Sequence, residues 1–222
     1  MSFWRQALAV ARRDLLAEGR AGDLLWVVLP YGALAVFLSP VALDTTRSVL
    51  AEVGFGIAWV VVLLFGMFVT FRRSASISQA EADMVSLLVG DPASVFVGRA
   101  LASSVLLLGF EVAMTPLVLA LFGPAGPSSW WALAGVGALV AAGLGMIGTV
   151  AGSLVGGLGS APALAPLLTA SLSFPLLVGA SVATHRLVDG DGILAPVALL
   201  GFVIVALTVA GVLSSRPLEE SA

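Results

Sequence analysis

Glu111 is the one acidic residue deep inside an apolar run of this chain. An ionised side chain at such a depth costs at least about 2.5 kcal/mol, so the carboxyl is expected to face other helices rather than lipid. Its plainest reading is a neutral carboxyl hydrogen-bonded to Thr115 or to another helix. The competing reading is a proton or cation pathway, or a gate. His185 stands beside Arg186 and ahead of Asp189 and Asp191. An imidazole at a membrane surface can ligate haem or another metal, while the plainer role is a polar cap. Asp189-Gly190-Asp191-Gly192 lacks the further ligand spacing of a calcium loop. Trp130-Trp131 has the position expected of an interfacial aromatic belt and is a second outer-face contact for a ligand. Glu81 and Asp83, with Met84 and Leu87, form a charged and apolar cluster of the kind a partner protein can grip. No serine–histidine–acid set or carboxylate pair stands out, so this chain is not expected to be an enzyme.

Absent residue types narrow the chemistry further. With no cysteine there is no disulfide, thiolate metal site, redox pair or covalent haem attachment. The ten basic residues are all arginine, so the lysine of a phosphate-binding loop and Schiff-base chemistry are excluded. Gly156-Gly157-Leu158-Gly159 accordingly is no phosphate cradle. A single histidine cannot form a histidine-rich metal site. Any use of ATP must therefore come from a partner chain, and no nucleic-acid partner is indicated.

The elements that must position these residues are membrane spans. Apolar residues make up 59% of the 222 positions, charged residues 10%, and mean hydropathy is +1.11. Apolar runs cover Leu24–Val41, Val53–Phe71, Val97–Phe122, Trp130–Val155, Pro162–Thr184 and Ile193–Leu213. A spanning helix needs roughly 20 mainly apolar residues, and a barrel would show short alternating strands instead. The expected fold is an all-α membrane protein with six transmembrane helices and an N-terminal amphipathic helix. Residues 1–222 form one permease-like domain: 2–20 interfacial helix, 24–213 six-helix bundle, 214–222 tail. The Arg12-Arg13 pair is not a twin-arginine export signal, because Glu18, Arg20 and Asp23 occupy the start of its apolar core.

Charge sets direction. With the N-terminus inside, eight arginines (5, 12, 13, 20, 72, 73, 99 and 216) face the cytoplasm. Only Arg47 and Arg186 lie outside, which follows the positive-inside rule. Both termini are expected in the cytoplasm of a prokaryotic inner membrane, with loops Thr45–Glu52, Gly123–Ser129 and His185–Gly192 outside. Residues 2–20 place Trp4, Leu8, Ala11 and Leu15 on one helical face with arginines mostly opposite. That helix is either a lipid-surface anchor or an elbow packed on the bundle. Between the second and third spans, Ile77–Leu88 has helical spacing and ends at Gly90-Asp91-Pro92. Gly137, Ala141 and Gly145, then Gly148, Gly152 and Gly156, repeat every four residues, the spacing that lets helix backbones approach closely in lipid. Packing within the bundle is the first reading and a homodimer contact the second. Prolines 30, 116, 166 and 175 fall inside spans and favour kinks.

Against this frame the chain resembles haem exporter protein B (CcmB) of the cytochrome c maturation system, the membrane subunit of an ABC-type transporter. The resemblance runs nearly full length. It rests on Phe3-Trp4-Arg5, Ile57-Ala58-Trp59-Val60, Leu87-Leu88 with Pro92 and Arg99, Thr115-Pro116-Leu117, Phe122-Gly123 and Phe174-Pro175-Leu176-Leu177. Where the family often has a Gly-Ser-Leu-Glu-like stretch, this chain reads Ala80-Glu81-Ala82-Asp83. The resemblance implies an ABC ATPase partner that supplies ATP hydrolysis, a haem-handling membrane protein and a haem chaperone. Haem is then a transported or partner-bound ligand, and ATP drives either its export or release of the loaded chaperone. Arg72–Arg99 becomes the ATPase-facing segment. The tryptophan-rich haem motif of the partner proteins is not present, since Ala132-Leu133 follows Trp130-Trp131. Alternatives are an ABC permease exporting a lipid or drug, and a membrane assembly scaffold that transports nothing.

Overall fold

The computed structural model describes residues 2–22, 24–76, 91–156 and 164–215. Among these, regular structure is entirely helical. Helix α1 covers Phe3–Ala21, and a π-helical turn at Leu24–Val28 runs into α2, Leu29–Leu43. Then follow α3 (Arg47–Ser76), α4 (Pro92–Phe122), α5 (Trp130–Gly156), α6 (Leu164–Asp189) and α7 (Leu194–Ser215). Helices α2 to α7 are the six long and apolar enough to cross a membrane. The expected spans and these helices correspond one to one.

Local chemistry explains where the helices stop. Gly22 and Gly123 adopt left-handed conformations, with φ of 71° and 53°, and return their N–H groups to Glu18 and Leu119 carbonyls. Only glycine takes that geometry without a Cβ penalty. Asp91 caps α4 by accepting from the Ala93 N–H at 3.0 Å, and Pro92 occupies the first turn, where no N–H is required. The wide π turn directly precedes Pro30, whose ring and missing N–H disfavour a regular turn before it.

Three expected connections are shorter than hydropathy suggested, among them Arg72–Arg99, into which α3 runs as far as Ser76 and from which α4 starts at Pro92. Helix α3 begins at Arg47, inside the segment expected to be a loop over Thr45–Glu52, and α6 continues through His185 to Asp189. Propagating an existing helix adds a hydrogen bond for each residue fixed, so helices outrun their apolar cores. Arg186 in the last turn of α6 also complements the negative helix end.

Burial locates the centre. Half of the Trp130–Ser153 span is buried, against 17% of Trp26–Leu43 and of Leu194–Leu213, so α5 is central while α2 and α7 are peripheral. Helix α5 packs on α3, α4, α6 and α7. Glycines make this close approach possible, Gly137 and Gly145 from the small-residue repeat and Gly143 outside it. A Cβ on Gly143 would meet Leu176 of α6 at 2.6 Å, and one on Gly145 would meet Ser104 Oγ of α4 at 2.5 Å. Gly137, Gly143 and Gly145 thus serve packing inside the bundle. Phe65 of α3 stacks on Phe110 of α4 with centroids 4.0 Å apart and planes at 9°.

Helix α1 is an elbow docked on α4 through a face that shares only Ala11 with the apolar stripe of Trp4, Leu8, Ala11 and Leu15. Ala7, Val10 and Ala11 are buried, whereas Trp4 and Leu8 are 64% and 59% exposed. Small side chains win because the approach is tight: a Cβ on Gly98 of α4 would stand 2.5 Å from the Ala7 carbonyl oxygen. The Ser94 hydroxyl, which can donate to the Asp91 carbonyl at 2.7 Å, also lies 3.3 Å from Gln6 Oε1 of α1. The bulky apolar residues are left on the outer side, where lipid offers them an apolar solvent.

Contacts also sort the helix ends. Gln6, Ser94, Phe96 and Gly211 meet at one end of the bundle. Gly54 and Phe122 meet at the other, where the Ser128 N–H also donates to the Leu187 carbonyl at 2.8 Å. Arg47 and Arg186 belong to this second end, apart from α1 and its arginines.

A carboxyl-lined cavity as the candidate functional site

A cavity of about 320 Å³ opens between α2, α3, α4 and α5. Val36 contributes from α2, Phe55 and Trp59 from α3, Glu111 and Thr115 from α4, and Trp130 and Gly137 from α5. Its walls are almost wholly apolar, so the Glu111 carboxyl is the strongest polar group there.

Glu111 is held by absence as much as by contact. Gly137 faces it, and a Cβ at that position would lie 2.7 Å from Glu111 Oε2. The missing side chain is the space the carboxyl uses. Glu111 Oε1 is buried and has no hydrogen-bond partner among the described residues. A buried acceptor left unmade costs on the order of 1–3 kcal/mol, which a purely structural position would not retain without compensation.

Thr115 does not provide that partner, contrary to expectation. Its hydroxyl donates to the Glu111 backbone carbonyl at 2.7 Å. Helical side chains tilt toward the N-terminus, so a threonine four residues on reaches the preceding carbonyl while the glutamate side chain points away. The bundle-facing placement of Glu111 stands, and its carboxyl partner does not.

Trp59 gives the cavity a fixed aromatic wall. Its indole N–H donates to Thr184 Oγ1 of α6 at 3.1 Å, and the Thr184 hydroxyl donates to the Ala180 carbonyl at 2.7 Å. Both tryptophan and threonine are buried.

The other sequence-derived positions separate. Trp130 lines the cavity with Glu111 and is 52% exposed, while Trp131 is 89% exposed and lies outside the lining. His185 lies within α6, not in a loop, with its side chain 66% exposed and Nε2 3.9 Å from Asp189 Oδ2. An exposed pair one helical turn apart contributes little. Arg186 Nη1 donates to the Gly192 carbonyl at 3.2 Å and closes the following turn. Among the described residues no group of three histidine, cysteine, aspartate or glutamate side chains could hold a metal. Glu81, Asp83, Met84 and Leu87, with the whole Ile77–Leu88 segment, lie outside the described residues. Gly137 and Trp59 are the cavity residues that sequence reasoning used differently, the first as a packing glycine and the second as part of a family pattern.

Chemically, the arrangement offers one carboxyl in an apolar, aromatic chamber. It has a group to bind with and no nucleophile–base pair to react with. A sequence model of the family described as CcmB protein matches residues 5–221. No curated protein matches the chain.

Proposed function

The chain belongs to the CcmB protein family, and on that premise we propose that it is the membrane permease subunit of an ABC-type haem exporter acting in cytochrome c maturation. The observation that carries this reading is the span of the match, residues 5–221, which takes in the elbow helix, every span and the segment between the second and third. ATP hydrolysis is then the work of a separate ATPase chain, and the haem-handling membrane protein and haem chaperone are its further partners. Energy is spent on haem export or on releasing the loaded chaperone. The domain is a single permease unit over 1–222 in the inner membrane, with both termini cytoplasmic by the arginine distribution.

The α1–α4 contact supports a route for coupling. Arg72–Arg99 is the segment we assign to the ATPase, and its last part is the start of α4 from the Asp91 cap onward. The first turns of α4 carry Ser94 and Gly98, which hold α1. A push on the segment therefore reaches a spanning helix and the elbow helix together.

Purification of the tagged chain from native membranes in mild detergent, followed by mass spectrometry of its companions, tests this reading. An ATPase together with haem-handling proteins is the expected result. An ATPase alone would indicate export of a lipid or drug, and neither would indicate a scaffold. Deletion of the gene should also abolish holo-cytochrome c.

A further inference from the structure

We propose that the cavity around Glu111 is an intramembrane binding site for a hydrophobic amine, with the ammonium on the Glu111 carboxyl and the apolar body against the surrounding walls. This does not depend on the haem-exporter reading, which concerns the complex and not this chamber.

The missing partner of Glu111 defines the ligand's polar group. Oε1 is buried, accepts nothing from the described residues, and belongs to a side chain that lines the cavity. A ligand that offers a donor to this carboxyl supplies what the described residues do not. Water is poorly suited, because a buried water needs two to four polar partners and beyond Glu111 and Thr115 the lining is almost wholly apolar. An ammonium does better on two counts. It makes a charge-assisted hydrogen bond to a carboxylate, and it is attracted to aromatic faces of the kind Trp59, Phe55 and Trp130 provide. The Thr184 bond holds the Trp59 ring in place and leaves its indole N–H already committed. Anions are disfavoured by the same carboxyl, and haem, with two propionates, is among them.

Volume and access define the rest. At about 320 Å³ the chamber is roughly twice the ~150 Å³ cavity that admits benzene, and it falls at the lower end of the range for small-molecule sites. Leu108, Val112 and Trp130 line it and are 37%, 66% and 52% exposed. All three stand on the bundle surface within the span region, so entry is lateral, from the bilayer. A single-chain amine dissolved in lipid satisfies each of these conditions.

The test uses the full chain in lipid nanodiscs and ω-bromodecylamine, whose bromine quenches nearby tryptophan fluorescence, beside the uncharged ω-bromodecanol. Saturable quenching by the amine is expected, with affinity at least about ten-fold above that of the alcohol. Glu111→Gln should weaken the amine by about ten-fold or more and leave the alcohol unchanged. Helical circular dichroism and a monodisperse elution profile establish that the variant is folded. If Glu111→Gln does not fold, Ala134→Leu narrows the chamber without touching the carboxyl and should weaken both ligands. Equal affinities for amine and alcohol in the native chain would overturn the proposal. So would amine binding that Glu111→Gln leaves intact, or quenching that rises linearly with lipid partitioning and responds to neither substitution.

Discussion

Trp59 and Thr184, 125 positions apart, are joined by a hydrogen bond of 3.1 Å from the indole N–H to the hydroxyl oxygen. This bond ties α3 to α6 beside the candidate cavity. Neither residue has an adjacent sequence signal that predicts the other. In a bundle whose helices are mostly apolar, it helps to specify which faces of α3 and α6 meet.

Removing the acceptor should therefore cost stability. Thr184→Val keeps the shape and leaves the buried indole N–H without a partner. Hydrogen bonds between membrane helices average about 0.6 kcal/mol and reach about 1.7 kcal/mol, so a loss in that range is expected in detergent unfolding. Combining it with Trp59→Phe gives a double-mutant cycle in which the two losses should be less than additive. Strict additivity would mean the bond contributes nothing.

Gly98→Val should undock the elbow helix. The new side chain has no room, since even a Cβ would lie 2.5 Å from the Ala7 carbonyl oxygen and 2.7 Å from Val10 Cβ. A cysteine placed at Val10, which is 6% exposed, should react slowly with a water-soluble maleimide in the native background. In the Gly98→Val background the rate should rise about ten-fold or more, as the docked population falls. An unchanged rate would show that α1 tolerates the intrusion.

Topology can be read with the same chemistry, because the chain has no native cysteine. Single cysteines at Ser78 and Asp191 should label from opposite faces of the membrane, the first only after the cytoplasmic side is opened. The structure already separates the Arg47 and Arg186 end from the α1 end. Labelling of both sites from one side would contradict the alternating order of the spans.

Charge reversal addresses coupling. Glu81→Arg together with Asp83→Arg should reduce recovery of the ATPase in pull-downs and prevent c-type cytochrome assembly, with membrane insertion unchanged. Charges at an interface rim act mainly on association rate, so the defect should be steepest at low salt. Reversing Asp189 and Asp191, which are exposed at the other end, should leave ATPase recovery intact. Normal recovery with the first pair reversed would move the coupling role to α1.

The number of spans, their helical nature and their order could be read directly from the chain. Each follows from a local requirement: a backbone in lipid must satisfy its own hydrogen bonds, and about 20 apolar residues cross the core. The Asp91-Pro92 start of α4 was not legible in this way, because the apolar run begins only at Val97 and the Gly90-Asp91-Pro92 signal was used to end the preceding segment. Nor were the helix ends at Arg47 and Asp189, since hydropathy marks where lipid begins and not where a helix stops.

Facing was the harder matter. Hydropathy grouped Trp4, Leu8, Ala11 and Leu15 on one face of α1 without saying what that face meets, and the bundle buries Ala7, Val10 and Ala11 instead. The sequence offered Thr115 or another helix as partner of the Glu111 carboxyl, whereas the Thr115 hydroxyl serves the backbone and the carboxyl lies against Gly137. Gly137 was recognisable as a packing glycine, while the carboxyl that fills its space came from another helix. The sequence alone determined the spans, because insertion into a bilayer responds to composition along the chain. Tertiary structure alone decided which faces meet and where the cavity opens. Lipid is as apolar as leucine, so hydrophobicity cannot select a contact face, and close fit between small and large side chains must do so.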